Sequence, residues 1–505
     1  MKINVQKSDV TKHKCDLLFV DIFQEVLIPS GPTGAVDKAM GGLIADLIKA
    51  KEIKGDLGKV TVIHTQGKIP AKRVAVLGLG KPEKFDMNDL QEVGAVMAST
   101  ARDIQAKEVA TIIHGVGEVG GIFPKEAASA ILDGFLLGGY KFAGIKSKSN
   151  KDDTKDSIKS LTFIDNKEKT LNIIKPELDI VQVKSEATNK ARDLINLPAN
   201  VVTPTYLAKK ANEIAKKYKK VKVKVLERKN LEKIKAGAFL SVAAGAQEPP
   251  KMIVMEYNNG KKGGEIYGII GKGITFDSGG ISLKSPRKMS EMKTDMSGAA
   301  AVLGVVEAVA RLNLKVNIIA IVAATENMPD AMAAKPGDII TALSGKTIEI
   351  ISTDAEGRMV MADALTYAMQ NGATKLIDIA TLTGGCLIAL GEVNSGIMGN
   401  DQLWVDKVIA AGKQAGEKLW QLPLDKEYED YLKSDVADIA NCNEGGKASP
   451  VVGGMFLKEF ARNMPWVHID IAGTAYISQK IGCFKKGATG AGVRTIVELL
   501  RSKSE

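Results

Sequence analysis

Two rhythms of apolar residues alternate along this chain. Short runs rich in Val, Ile and Leu at residues 16–23, 60–64, 74–79, 109–114 and 161–164 read as strands, and the opening MKINV begins another. Between them, residues 35–50, 87–106 and 124–137 carry apolar side chains at the spacing of a helix with one buried face. Strand alternating with helix up to about residue 165 predicts a parallel or mixed sheet covered by helices. The polar stretch from Lys146 to Lys159 predicts an exposed loop near a domain edge. A helix is expected over residues 176–195, opening on Pro176 as a first helical turn allows and broken before Pro198. It reads as a link between domains.

Beyond about residue 196 the alternation resumes, with strands expected at 221–225, 252–257, 266–270, 316–323, 376–380 and 467–471. Several of these are apolar at every position, which a sheet buried on both faces requires. Residues 298–311, rich in Ala and Gly, predict a helix pressed closely on that sheet. The fold class expected is therefore α/β in two domains, each a mixed sheet flanked by helices. The bounds are 1–172, a linking helix at 173–196, and 197–505. No acid pair or histidine cluster sits at a strand end of the first domain, so chemistry is expected in the second and control of assembly or access in the first.

Composition narrows the class. A chain of 505 residues exceeds one compact core, and 45% hydrophobic with 25% charged residues is the balance of a soluble globular protein. The longest apolar runs, such as 316–324, fall far short of the ~20 residues of a membrane span. The opening MKINV is expected to start a strand and not a signal peptide. A cytoplasmic protein without membrane attachment is expected. Cys15, Cys386, Cys442 and Cys483 lack C-x-x-C spacing, and His13, His64, His114 and His468 form no paired motif. Any bound metal must then have mainly oxygen ligands.

The net charge of +10 is concentrated: residues 209–235 hold twelve Lys or Arg against Glu213, Glu227 and Glu232, an excess of nine (12 − 3). A solvated lysine-rich surface accounts for it, and a nucleic-acid patch is the sharper alternative. Only Tyr206 and Tyr218 are at hand for stacking on bases.

Chemistry concentrates in two stretches. Residues 352–358, STDAEGR, follow a strand-like run at 347–351 and precede a helix-like run at 359–369, so Asp354 and Glu356 sit where strand turns into helix. Gly357 permits a sharp bend between them. Two acids this close repel unless a positive group stands between them, and a divalent cation would serve. The second stretch is GKGITFDSGG, residues 271–280, followed by Lys284 and Asp295. Together the two supply Asp277, Asp295, Asp354 and Glu356 with Lys272, Lys284 and Arg358. Four carboxylates match two divalent cations. The glycines do not spell a phosphate-binding loop.

GKGITFDSGG, MKTDMSGAA (292–300), ENMP (326–329), TDAEGR (353–358) and DIATLTG (378–384) resemble, in order, the motifs of the leucyl aminopeptidase family of two-metal exopeptidases. The resemblance runs from ARDLINLPANVVTP (191–204) to HIDIAG (468–473) and GATGAGVRT (487–495). It implies that Lys272, Asp277, Asp295 and Glu356 hold one metal, and that Asp277, Asp354 and Glu356 hold the other, Mn or Zn being expected. Lys284 and Arg358 would be the catalytic pair: Lys284 stabilises the oxyanion, and Arg358 holds a bicarbonate that relays a proton. Met292, Thr381 and Gly384 would border the pocket for the first side chain, and the Leu382 carbonyl would accept from the substrate backbone. The family further implies peptide substrates, leucine-like first residues and a homohexamer. Ser352 stands where the family commonly has Asn, and Gly385 where Ala is usual; neither replaces a ligand. A two-metal phosphoesterase, and an added DNA-binding role through residues 209–235, are the alternatives.

Overall fold

The computed structural model describes residues 1–117, 121–145 and 158–504. The polar loop expected at 146–159 lies almost entirely outside the described residues. The chain forms two compact units, Met1–Glu186 with Lys480–Lys485, and Ala187–Gln479 with the residues from Lys486 onward. The division falls inside the helix Glu168–Asn196, in which Pro176 is an interior residue and not the first turn. The return of 480–485 to the first unit has no counterpart in the expected bounds.

In the first unit β1 (Lys2–Lys7), β2 (Leu17–Ile22), β3 (Val60–His64), β4 (Arg73–Gly78), β5 (Glu108–Thr111) and β6 (Ser160–Asp165) form a sheet in the order β1-β6-β5-β2-β4-β3. All neighbours run parallel except β3 on β4. Both faces of β2 are buried, which is why its sequence does not alternate. Leu17 and Phe19 join Leu90, Met97, Ile131 and Phe135 in one core cluster, while Leu18 and Val20 join Val36, Met40 and Ile44 in another. The single helix expected at 35–50 is two, Gly31–Ala39 and Leu43–Lys49, because Gly41 and Gly42 take φ of 79° and 84°, which no α-helix can contain.

The second unit is built on β7 (Val221–Glu227), β8 (Lys251–Asn258), β9 (Ile266–Asp277), β10 (Asn317–Asn327), β11 (Ile339–Thr341), β12 (Thr347–Glu349), β13 (Lys375–Ala380), β14 (Ser395–Gly399), β15 (Leu419–Gln421), β16 (Ile439–Ala440) and β17 (Trp466–Asp470). The main sheet has the order β15-β14-β17-β13-β9-β10-β8-β7, with β9, β10, β13 and β17 mutually parallel at its centre. Helix Ser297–Leu312 presses on it as expected: a side chain at Gly298 would stand 2.1 Å from the Ile379 carbonyl oxygen.

Two departures from the expected pattern position the site. First, β9 continues past residue 270 to Asp277 and carries a bulge: Ile274 and Asp277 pair with Thr325 and Asn327, so three steps on β9 face two on β10. Lys272 and Asp277 would face opposite sides of a regular strand, and the extra residue brings them to the same side. Second, the strand before the acid pair belongs to a separate three-stranded sheet, β11-β12-β16, so the acids do not all leave one sheet. Its alternation of Thr347, Ile348, Glu349 and Ile350 suits a strand with one wet face and not the all-apolar main sheet.

Candidate metal and catalytic site

The acids arrive from separate elements. Lys272 and Asp277 come from β9, Asp295 from the end of a short turn before helix Ser297–Leu312, and Asp354 from the loop after β12. Glu356 is the first residue of helix Glu356–Gln370. One oxygen each from Asp277, Asp354 and Glu356 lies within 4.8 Å of the others. Asp277 and Glu356 are buried, and Asp354 opens to solvent.

Two lysines interleave with these acids. Lys272 Nζ lies 2.8 Å from Asp295 Oδ2 and 2.8 Å from Glu356 Oε1, and donates to the Thr381 carbonyl at 3.1 Å. Lys284 Nζ lies 2.8 Å from Asp277 Oδ2 and 2.6 Å from Asp354 Oδ1. Burial alone would lower the pKa of either lysine, but the surrounding carboxylates outweigh it and raise both. Burial, and after it repulsion from Asp277, raise Asp295 and Glu356 against the pull of Lys272. With all four carboxylates ionised, as metal ligands must be, they exceed these two ammonium groups by two charges (4 − 2). Glu356 Oε2 is buried and has no hydrogen-bond partner among the described residues. An acceptor oxygen left so in a crowd of acids suits a cation.

The helix start is shaped around Lys272. A β-carbon on Gly357 would stand 2.5 Å from Lys272 Cε and 2.7 Å from its Nζ. Glycine is thus what lets the lysine tip pass the helix and reach Glu356. Arg358, one residue on, is buried; burial lowers its pKa, its Nη1 donates to the Asn441 carbonyl at 2.9 Å, and its Nε has no hydrogen-bond partner among the described residues.

Thr381 lies beside the acids, its Oγ1 donating to Asp295 Oδ1 at 2.7 Å. Leu382 follows it, half-buried, and Gly384 opens helix Gly384–Leu390 at the surface. Met292 is half-buried in the turn before Asp295. Basic residues of 209–235 lie on helix Pro204–Lys217 and on β7, an edge strand of the main sheet. Several are already engaged: Lys210 with Glu213, Lys217 with Glu307, Lys220 with Asn259 and Asn313.

Residues without an assigned role in the sequence complete the site. Asn327 Nδ2 donates to Asp277 Oδ1 at 2.8 Å and to the Thr353 carbonyl at 3.0 Å, tying the two acidic stretches together. Asn441 holds the approach to the acid pair, its Oδ1 accepting from Ile351 N at 2.8 Å. Asp470 accepts from the loop that carries Thr381 and Leu382. Asn327 and Asp470 fall inside the ENMP and HIDIAG motifs. Asn441 has no local signal, since it acts across a long chain separation.

Comparison with known proteins bears on this geometry. A profile of the cytosol aminopeptidase family, catalytic domain, matches residues 189–497, and one of its N-terminal domain matches residues 20–149. A probable cytosol aminopeptidase of Alkaliphilus metalliredigens is 44% identical over 504 residues, covering 99% of both chains. One from Pseudomonas aeruginosa is 39% identical over 471 residues, covering 93% of each. Among solved structures, a mutant of tomato leucine aminopeptidase superposes with a TM-score of 0.87 at 32% identity, covering 99% of this chain and 96% of its own. The bottromycin maturation enzyme BotP, in complex with Mn, gives 0.84 at 28% identity, covering 97% and 100%. Two domain profiles in order and full-length relatives at this identity show that the chain belongs to the cytosol aminopeptidase family.

Proposed function

We propose that this metal-dependent aminopeptidase releases unsubstituted amino-terminal residues, leucine-like ones preferred, with two divalent cations held at the acid cluster. The observation that carries the reading is Glu356: its Oε1 is bound to Lys272, while Oε2 lies buried in a cluster of four acids and two lysines, without a hydrogen-bond partner among the described residues. The donor set fits hard or borderline divalent ions. Lys272, Asp277, Asp295 and Glu356 would hold one, and Asp277, Asp354 and Glu356 the other. Mn or Zn is the expected metal, and the Mn complex of BotP supports Mn.

When bound, such a pair supplies polarisation of the scissile carbonyl, an anchor for the free amino terminus and acidification of water. The protein's own groups do the rest. Lys272 must give up its proton to become a ligand, a change its acidic neighbours oppose until their charge is met by a cation. Lys284 carries an oriented positive charge for the developing oxyanion. Arg358 presents a planar donor suited to bicarbonate, its fixed edge on Asn441 leaving Nε unused. Met292, Thr381 and Gly384 border the first side chain, and the Leu382 carbonyl receives the substrate backbone. A cytoplasmic homohexamer, with the first unit serving assembly or access, belongs to the same reading. Among the described residues no helix is long and apolar enough to cross a membrane.

The test is leucyl-amide hydrolysis before and after chelation, with Mn, Zn or Co returned singly and a phosphate ester as control. Chelation should abolish peptidase activity and a returned metal restore it. Full activity in a metal-free sample, or turnover of the phosphate ester in preference, would refute the reading.

A further inference from the structure

Asp470 ends β17 beside β13, fully buried, and the reaction described above makes no use of it. Its Oδ1 accepts from Leu382 N at 3.1 Å and from Ala472 N at 3.0 Å, and its Oδ2 from Thr383 Oγ1 at 2.8 Å. Three donors converge on one side chain, a demand that only a carboxylate meets with acceptors throughout. His468 and Arg358 supply positive charge in its surroundings.

The Leu382 N–H and the Thr381 carbonyl belong to one peptide group. In a trans peptide they point in opposite directions. The Thr381 oxygen accepts from Lys272 Nζ at 3.1 Å, so that group is clamped on both edges, by Lys272 on one side and Asp470 on the other. The next peptide group carries the Leu382 carbonyl, and Asp470 holds the chain on both sides of it, at Leu382 N and at the Thr383 hydroxyl. Thr383 Oγ1 also accepts from Cys386 N at 3.3 Å, which extends the clamp to the first turn of helix Gly384–Leu390.

We infer that Asp470 is a positioning residue for substrate, setting the plane of the Leu382 carbonyl through the Thr381–Thr383 loop. The inference rests on the aminopeptidase reading, in which that carbonyl receives the substrate backbone. Among the described residues no hydrogen bond of the Asp470 side chain goes to any of the five residues assigned to the metals, so its loss should act on substrate binding and spare the cations. The Thr381 oxygen keeps its bond to Lys272, while the unclamped edge rotates.

The test uses the full chain loaded with Mn. Asp470→Ala should raise KM for leucyl amide about tenfold, the worth of one well-placed hydrogen bond, with kcat changed by less than about threefold. Manganese stoichiometry and affinity, read by elemental analysis and titration calorimetry, should match the parent. Asp470→Asn, which keeps an oxygen for Leu382 N and Ala472 N, should recover most of the KM. Should the alanine variant fail to fold, Thr383→Val removes one arm of the same clamp and should raise KM in the same direction with the metals kept. An unchanged KM in a folded Asp470→Ala or Thr383→Val protein, or loss of manganese in either, would overturn the inference. Absence of metal-dependent hydrolysis in the parent would instead overturn the aminopeptidase reading, and the parent's own assay makes the two failures distinct.

Discussion

Gly357→Ala is the substitution whose effect can be worked furthest from the structure. The added methyl would stand 2.5 Å from Lys272 Cε, 2.7 Å from Nζ and 2.8 Å from Cδ. A solvent-exposed lysine tip would swing aside at little cost. This one is 3% exposed and fixed by Asp295, Glu356 and the Thr381 oxygen, so it cannot move without breaking those contacts. Leaving a buried ionic partner uncompensated costs about 3–5 kcal/mol. Replacing Gly by Ala within helix Glu356–Gln370 returns about 1 kcal/mol. The metal-free protein should therefore lose roughly 2–4 kcal/mol by these two magnitudes, seen as a lower Tm. With metal, displacement of Lys272 removes one of the proposed ligands and should weaken cation affinity by at least the roughly 10- to 100-fold that loss of a ligand's supporting partner brings. Manganese titration by calorimetry, beside thermal melts of metal-free samples, reads both effects. Parent-like affinity together with an unchanged melt would show that Lys272 is not confined as described.

Two further outcomes follow from the same geometry. Glu356→Ala should lose bound metal, whereas Lys284→Ala should retain it and lose about 10²- to 10³-fold in turnover; elemental analysis paired with initial rates distinguishes them, and the reverse pattern would invert the two roles. In the first unit, burial would raise Asp16, but Lys72 and the Glu108 and Lys107 N–H groups overcome it and hold its pKa at about 2. A folded value below the unfolded one of about 3.9 means stabilisation that is complete above that pH and lost as pH falls toward 2. Asp16→Asn should thus cost about 1 kcal/mol near neutrality, allowing for solvent screening, and only a small remainder of that at pH 2, where the folded carboxylate is half protonated. Urea melts across that range should show the parent and variant converging, and a constant difference would deny the ionic origin.

Much of this site is legible along the chain because its chemistry is local. Asp354, Glu356 and Arg358 are neighbours on one bend, Lys272 and Asp277 on one strand, and glycines stand where the backbone crowds them. Apolar runs of strand length determined the two sheets, since burial on both faces leaves no other composition for a strand. What the chain order could not determine is parity and distance. Lys272 and Asp277 share a side only because β9 takes an extra residue against β10, a pairing that exists only once the two strands meet. The acid pair enters from a small separate sheet because the strand before it has one wet face and pairs with Ile439–Ala440, far along the chain. Asn327, Asn441 and Asp470 acquire their roles the same way. A hydrogen bond or a charge acts over a few ångströms of space, and only the folded chain decides which residues come that near.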